Sequence, residues 1–101
     1  MIKVSIITIS YNSSKTISKT LESVKYQNYL NFEHIIIDGN SSDETVEICN
    51  KFNHISKIIS ENDSGVYNAF NKGLKIASGD VIGFLNSDDT FADKESLKKI
   101  V

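Results

Sequence analysis

Asn86, Ser87, Asp88 and Asp89 follow the apolar run Val81-Ile-Gly-Phe-Leu85 with no spacer between them. Two adjacent carboxylates repel each other unless a cation or separate partners compensate. Oxygen donors of this kind suit Mg²⁺ or Mn²⁺, which take one or two carboxylates together with substrate phosphates. The competing role for Asp88 or Asp89 is simply to cap the next helix. Other polar residues stand in comparable places, at the ends of apolar runs: Tyr11 and Asn12, Asp38, and Asp63. Asp38 before Gly39 is either a turn residue or an acceptor for a base or a ribose hydroxyl. Tyr11 either plugs a sheet edge or stacks on a nucleobase. Lys72 reads as part of a solvated helix face, whereas Asn71 interrupts a helix whose other face is apolar.

The elements that would position these groups follow from periodicity. Lys3 to Ser10 is rich in β-branched residues and reads as a strand. Ile17, Leu21 and Val24 form the apolar stripe of a helix from about Ser14 to Tyr26. Phe32 to Ile37 is a second strand. Ser41-Ser-Asp-Glu44 is a capping-box pattern, followed by Val46, Cys49 and Phe52 at helical spacing. Lys57 to Glu61 is a third strand, and Asn62 to Gly65 a loop. Val66, Phe70, Leu74 and Ala77 give a third helical stripe ending near Gly79. Val81 to Leu85 is then a short buried strand, and Asp93 opens a last helix through Leu97. This β-α-β-α-β-α-β order implies an α/β fold, a Rossmann-like parallel sheet with helices on both faces. Right-handed crossovers give the expected strand order 3-2-1-4, with strands 1 and 4 flanking the topological switch point. All the candidate residues then converge on one rim.

At 101 residues, 40% of them apolar and 24% charged, the chain has the composition of one globular domain at most. A net charge of −2 without a Lys or Arg run argues against a nucleic-acid partner. The single cysteine, Cys49, excludes an internal disulfide, fits a reducing compartment and reads as a core thiol. No apolar stretch approaches the ~20 residues of a spanning helix, and the start of the chain is no signal peptide. Asp38 to Asp43 fails as an EF-hand loop, with Asp43 where Gly is required and Cys49 where the bidentate Glu belongs. No GxxxxGK or GxGxxG follows the first strand. His34 and His54 are too far apart and too poorly accompanied for a zinc site, and read as surface or half-buried.

Four stretches taken together resemble the nucleotide-binding half of family 2 glycosyltransferases, which share the GT-A fold. They are Val4-Ser-Ile-Ile-Thr-Ile-Ser-Tyr-Asn12, Ile35-Ile-Ile-Asp-Gly-Asn-Ser-Ser-Asp43, Glu61-Asn-Asp-Ser-Gly-Val-Tyr-Asn-Ala-Phe-Asn-Lys-Gly73, and Ala77-Ser-Gly-Asp-Val-Ile-Gly-Phe-Leu-Asn-Ser-Asp-Asp89. The resemblance implies transfer of a sugar, with inversion, from a nucleotide diphosphate to an acceptor hydroxyl on a glycan or lipid-linked saccharide. Under it, Ser10, Tyr11, Asn12, Asp38, Asp63, Gly65, Asn71 and Asp88 would bind the nucleotide of a UDP-sugar. Tyr11 would line the base pocket, Asp38 would hydrogen-bond the base, and Asp88 would lie nearer the ribose. Asp88 and Asp89 would hold a divalent cation, Mn²⁺ or Mg²⁺. Ser10 stands where the family often carries Thr, and Asn68 where it often carries Asp.

The family's transferase domain is roughly twice this length, so residues 1–101 read as its N-terminal, nucleotide-sugar-binding part. The acceptor half and the catalytic base are expected beyond Val101. A binding or assembly module without catalysis is the alternative, and an unrelated receiver-like domain a third. A sheet cut after strand four would leave Asp80 to Leu85 as an exposed edge able to pair two copies. The expected location is cytoplasmic, with the longer parent protein peripheral to the inner membrane face.

Overall fold

The computed structural model describes residues 1–101. Its elements are β1 (Val4–Ser10), α1 (Ile17–Lys25), β2 (Phe32–Asp38), α2 (Thr45–Asn50), β3 (Lys57–Ser60), α3 (Val66–Ile76), β4 (Val81–Phe84) and α4 (Ser96–Ile100). The strands form one parallel sheet in the order β3-β2-β1-β4, as the sequence implies. β1 and β2 are buried along nearly their whole length, because parallel crossovers cover both faces of the central strands.

Alternation along the strands divides the core in two. On one face, Val4 and Ile6 pack with Val24 of α1 and Leu97 of α4, while Ile36 packs with Ile17, Leu21 and Cys49. On the other, Ile7, Ile35 and Ile37 meet Ala69 of α3. α3 lies close against β1 because Gly73 has no side chain: a Cβ there would stand 2.7 Å from Cγ2 of Ile7.

Several local expectations give way. The stripe Val66, Phe70 and Leu74 is not the buried face of α3. Val66 and Leu74 are exposed and the helix buries Ala69 and Gly73 instead, since close helix-to-sheet approach favours small residues over large ones. The capping box does not form. The Ser41 hydroxyl turns back to Asp38, and Asp43 rather than Ser41 accepts the Thr45 amide. β4 is an edge strand, hydrogen-bonded only to β1, so it is half-buried and Phe84 is exposed.

His34 is fully buried, not at the surface, and the fold brings it to His54. The rings stack at 5.3 Å, with His34 Nδ1 3.1 Å from His54 Nε2 and His34 Nε2 2.8 Å from the Thr8 hydroxyl. Lys72, expected on a solvated face, bonds the Asn62 carbonyl at 2.9 Å and pairs with Glu61 at 3.2 Å.

Candidate functional site

The loops that leave the carboxyl ends of the four strands are tied to one another. The register pairs Ser10 with Asp38 and Asp38 with Ser60, so a carboxylate lies between two hydroxyls on one rung of the sheet. Ser10 donates to Asp38 at 2.7 Å and Ser60 at 2.8 Å, while the Ser41 hydroxyl and amide add bonds of 2.6 and 2.8 Å. Each Asp38 oxygen therefore accepts two hydrogen bonds. Burial alone would raise the Asp38 carboxyl, but the donors from Ser41, Ser10 and Ser60 outweigh it and hold it below its usual value. Asp38 is 0% exposed. Both of its oxygens are engaged by serine donors beneath the rim. What it does is fix the loop Gly39–Ser41.

That loop meets the one after β1. The Asn12 amide donates to the Ser41 hydroxyl and the Ser42 amide to Asn12 Oδ1, both at 2.8 Å. Asn12 and Asn40 both adopt left-handed backbone, with φ of 48° and 66°. Asn tolerates this region better than other non-glycine residues, and such conformations gather at functional loops. Tyr11 is 65% exposed, and a Cβ at Gly39 would stand 3.4 Å from its ring and 3.1 Å from the Asp63 carboxylate. Tyr11, Ser10, Asp63, Gly65 and Ala69 line a cavity of about 230 Å³. Gly65, with φ of 120°, gives the turn into α3, and the Asp63 carboxylate accepts its amide.

A larger cleft of about 770 Å³ adjoins this cavity through Ile9 and Val66. Its wall includes Asn12, Asp43, Asn86, Ser87 and Asp88, with Lys15 as its one cation. Asp43 bridges the loops after β1 and β2, accepting from Ser14 and from both the hydroxyl and the amide of Thr45. The Thr45 hydroxyl leads in lowering its carboxyl, to about 2, against a partial desolvation, with the Thr45 and Ser14 amides assisting. Ser13 joins the fourth loop, its hydroxyl 2.7 Å from that of Ser87.

Asp88 and Asp89 cap nothing. The following helix starts at Ser96, and Asp93, not the pair, accepts the Glu95 amide before it. Both side chains are exposed. Asp89 accepts only from the adjacent Thr90 amide, at 3.0 Å. Asp88 lines the cleft, whereas Asp89 lines neither cavity; apart from the Thr90 amide, their oxygens meet no protein donor, in contrast to Asp38 and Asp43. No cluster of three or more His, Cys, Asp and Glu side chains is placed to hold a metal by itself. Two hard carboxylates with open coordination fit a cation shared with a diphosphate, not a closed protein cage.

Ser10, Tyr11, Asn12, Asp63, Gly65 and Asp88 thus share the two adjoining cavities. Asn71 does not join them: it is exposed on α3 and lines neither. Ser13, Ser41 and Asp43 are not among the residues the sequence points to, since isolated serines in loops carry no distinguishing spacing. Asp43 alone had a local signal, in the run Ser41 to Glu44.

The glycosyl transferase family 2 model matches residues 5–101. An uncharacterized glycosyltransferase of Mycobacterium tuberculosis is 39% identical over 100 residues, covering 97% of this chain and 38% of the relative. The UDP-Glc:alpha-D-GlcNAc-diphosphoundecaprenol beta-1,3-glucosyltransferase WfaP of Escherichia coli is 46% identical over 88 residues, covering 85% of this chain and 35% of WfaP. The chain therefore spans little more than a third of these relatives. Among solved structures, S. aureus TarS 1-349 in complex with UDP-GlcNAc superimposes with a TM-score of 0.90 at 34% identity, over 97% of this chain and 30% of that one. The sheet order is that of these GT-A enzymes, and the chain belongs to glycosyl transferase family 2.

Proposed function

We propose that residues 1–101 form the nucleotide-sugar-binding part of a glycosyltransferase whose donor is a UDP-sugar. The observation that carries this is the rim itself: four strand-end loops cross-tied by Asp38, Asn12, Asp43 and Ser13, with Tyr11 open at one end and Asp88 and Asp89 exposed at the other. Tyr11 offers an exposed aromatic face for a base, above the cavity that Ser10, Asp63 and Gly65 complete. Asp38 acts through Ser41, holding the backbone against which the base edge lies. Asn12 and Asp88 face the sugar and phosphate side.

Asp88 and Asp89 would hold a divalent cation, Mn²⁺ or Mg²⁺, together with the donor's phosphates. Bound there, it would neutralise the charge that grows on a departing diphosphate. This chain's own residues bind and orient the donor, and Lys15 adds a positive side chain at the cleft. In the longer protein we place the acceptor site and the base, which takes the acceptor hydroxyl's proton during inverting transfer, beyond Val101. Because the chain spans 35% to 38% of its relatives, a second reading is that these residues bind donor without transferring it. β4 also leaves one sheet edge open beside the exposed Phe84, which favours pairing of two chains, read by sedimentation.

Calorimetric titration of the chain with UDP and Mn²⁺, alongside Asp89→Ala, tests the proposal. Saturable binding weakened by Asp89→Ala is expected. A wild-type chain with no affinity for any nucleoside diphosphate contradicts it.

A further inference from the structure

Besides its apolar stripe, α1 carries a polar one that the functional site does not account for. Thr20 and Ser23 within α1, and Thr16 and Gln27 just beyond its two ends, recur at intervals of four, three and four on the side turned toward the segment after β4. Each bonds that segment's backbone. The Thr16 hydroxyl donates to the Ser87 carbonyl at 2.9 Å, and the Thr20 hydroxyl to the Asp89 carbonyl at 2.6 Å. The Phe91 amide donates to the Ser23 hydroxyl at 3.2 Å, the Gln27 amide to the Asp93 carbonyl at 2.7 Å, and the Leu97 amide to Gln27 Oε1 at 3.0 Å.

Residues 87, 89, 91 and 93 are thus each gripped by a main-chain atom, although the segment is a turn at Ser87 and Asp88 followed by irregular chain. Thr20 is 0% exposed and Gln27 3%, so these bonds form away from water. Gripping Ser87 and Asp89 by their carbonyls leaves the carboxylates unspent. Asp88, between the two anchors, is directed into the cleft.

We infer that Thr20, supported by Thr16, is a positioning residue that sets the Asp88-Asp89 turn for a divalent cation. The inference rests on the nucleotide-and-cation reading of the rim. Side chains on a rigid helix hold a site more closely than a free loop does, and a small misplacement of ligands is costly. The base pocket, formed by the loops after β1, β2 and β3, takes no part in this grip.

The test is UDP affinity measured twice on the full chain, with Mn²⁺ and with EDTA, for wild type, Thr20→Val, Thr20→Ser and Thr16→Val. Thr20→Val keeps the side-chain volume and removes the donor. It is expected to lose about tenfold in the affinity gained from Mn²⁺, the scale of one buried hydrogen bond. Its affinity in EDTA should stay within twofold of wild type, and Thr20→Ser should restore the gain. Equal losses with and without the cation, or no loss, overturn the inference while leaving the nucleotide site standing. No binding by wild type overturns both. If Thr20→Val shows no cooperative thermal unfolding, Thr16→Val decides, being exposed and bonded to the Ser87 carbonyl, which the Thr20 hydroxyl also reaches at 3.1 Å; an unchanged Mn²⁺ gain there overturns the inference.

Discussion

Lowering the pH from 7 to 5 should destabilise this fold through His34. Burial, with the neighbouring His54 adding to it, depresses the His34 imidazole from 6.5 to about 3. The contact geometry agrees, since a 3.1 Å bond between two ring nitrogens needs one N–H and one lone pair. Charging both rings would set two N–H groups against each other. Above pH 6.5 the ring is neutral in both folded and unfolded chains, so stability is full there. As pH falls from 6.5 towards 3, only the unfolded chain takes up the proton, and stability is lost across that window. At pH 5 the loss is roughly 2 kcal/mol, from ~1.4 kcal/mol for each of the ~1.5 pH units below the unfolded value. His54 is also lowered, by burial and then by Lys25, and adds in the same direction. The carboxyls of Asp38 and Asp43 are lowered from 3.8, so their contribution falls away only at more acid pH. Urea unfolding at pH 7, 6 and 5, paired with NMR titration of the His34 ring, measures the effect. A midpoint that does not move, or a ring titrating near 6.5, refutes it.

Asp38→Ala strands the hydroxyls of Ser10, Ser41 and Ser60, and should cost roughly 3 kcal/mol in urea unfolding. An undiminished midpoint would show that the loop holds itself. Gly73→Ala should also destabilise, by about 1 kcal/mol net, because displacing Ile7 outweighs the ~1 kcal/mol that Ala gains over Gly in a helix. Thermal unfolding reads the sign directly. Cys49 is buried, and that burial foremost, then the Asp38 charge, raises its thiol to about 11, so a thiol reagent at pH 8 should label it only after unfolding.

The sheet was legible because its signals are long and repeated. Four apolar runs separated by helical stripes admit few topologies, and the handedness of crossovers selects the order β3-β2-β1-β4. The rim was legible where the residue type changes abruptly, as at Leu85 to Asn86 or Ile37 to Asp38. The orientation of each rim side chain was not. Asp38 ends a central strand, and of the serines that engage it Ser41 comes from the adjoining turn while Ser10 and Ser60 are brought to it only by the register. The face of α3 was misread for a similar reason: hydrophobicity favours Val66 and Leu74, while close approach to Ile7 requires Ala69 and Gly73. The polar stripe of α1 interleaves with its apolar one, so only the partner backbone reveals its purpose. His34 and His54 are brought together by the crossover from β2 to β3, which sequence distance hides.

The central claim, that the strand-end rim holds a nucleoside diphosphate, is tested most directly by mapping backbone amide shifts as UDP and Mg²⁺ are added to isotopically labelled chain. The expected result is a contiguous set of changes at Tyr11 to Ser13, Gly39 to Ser41, Asp63 to Gly65 and Ser87 to Thr90. Changes at the opposite end of the sheet, around Ser5, Glu33 and Ser78, or none at millimolar nucleotide, would contradict it.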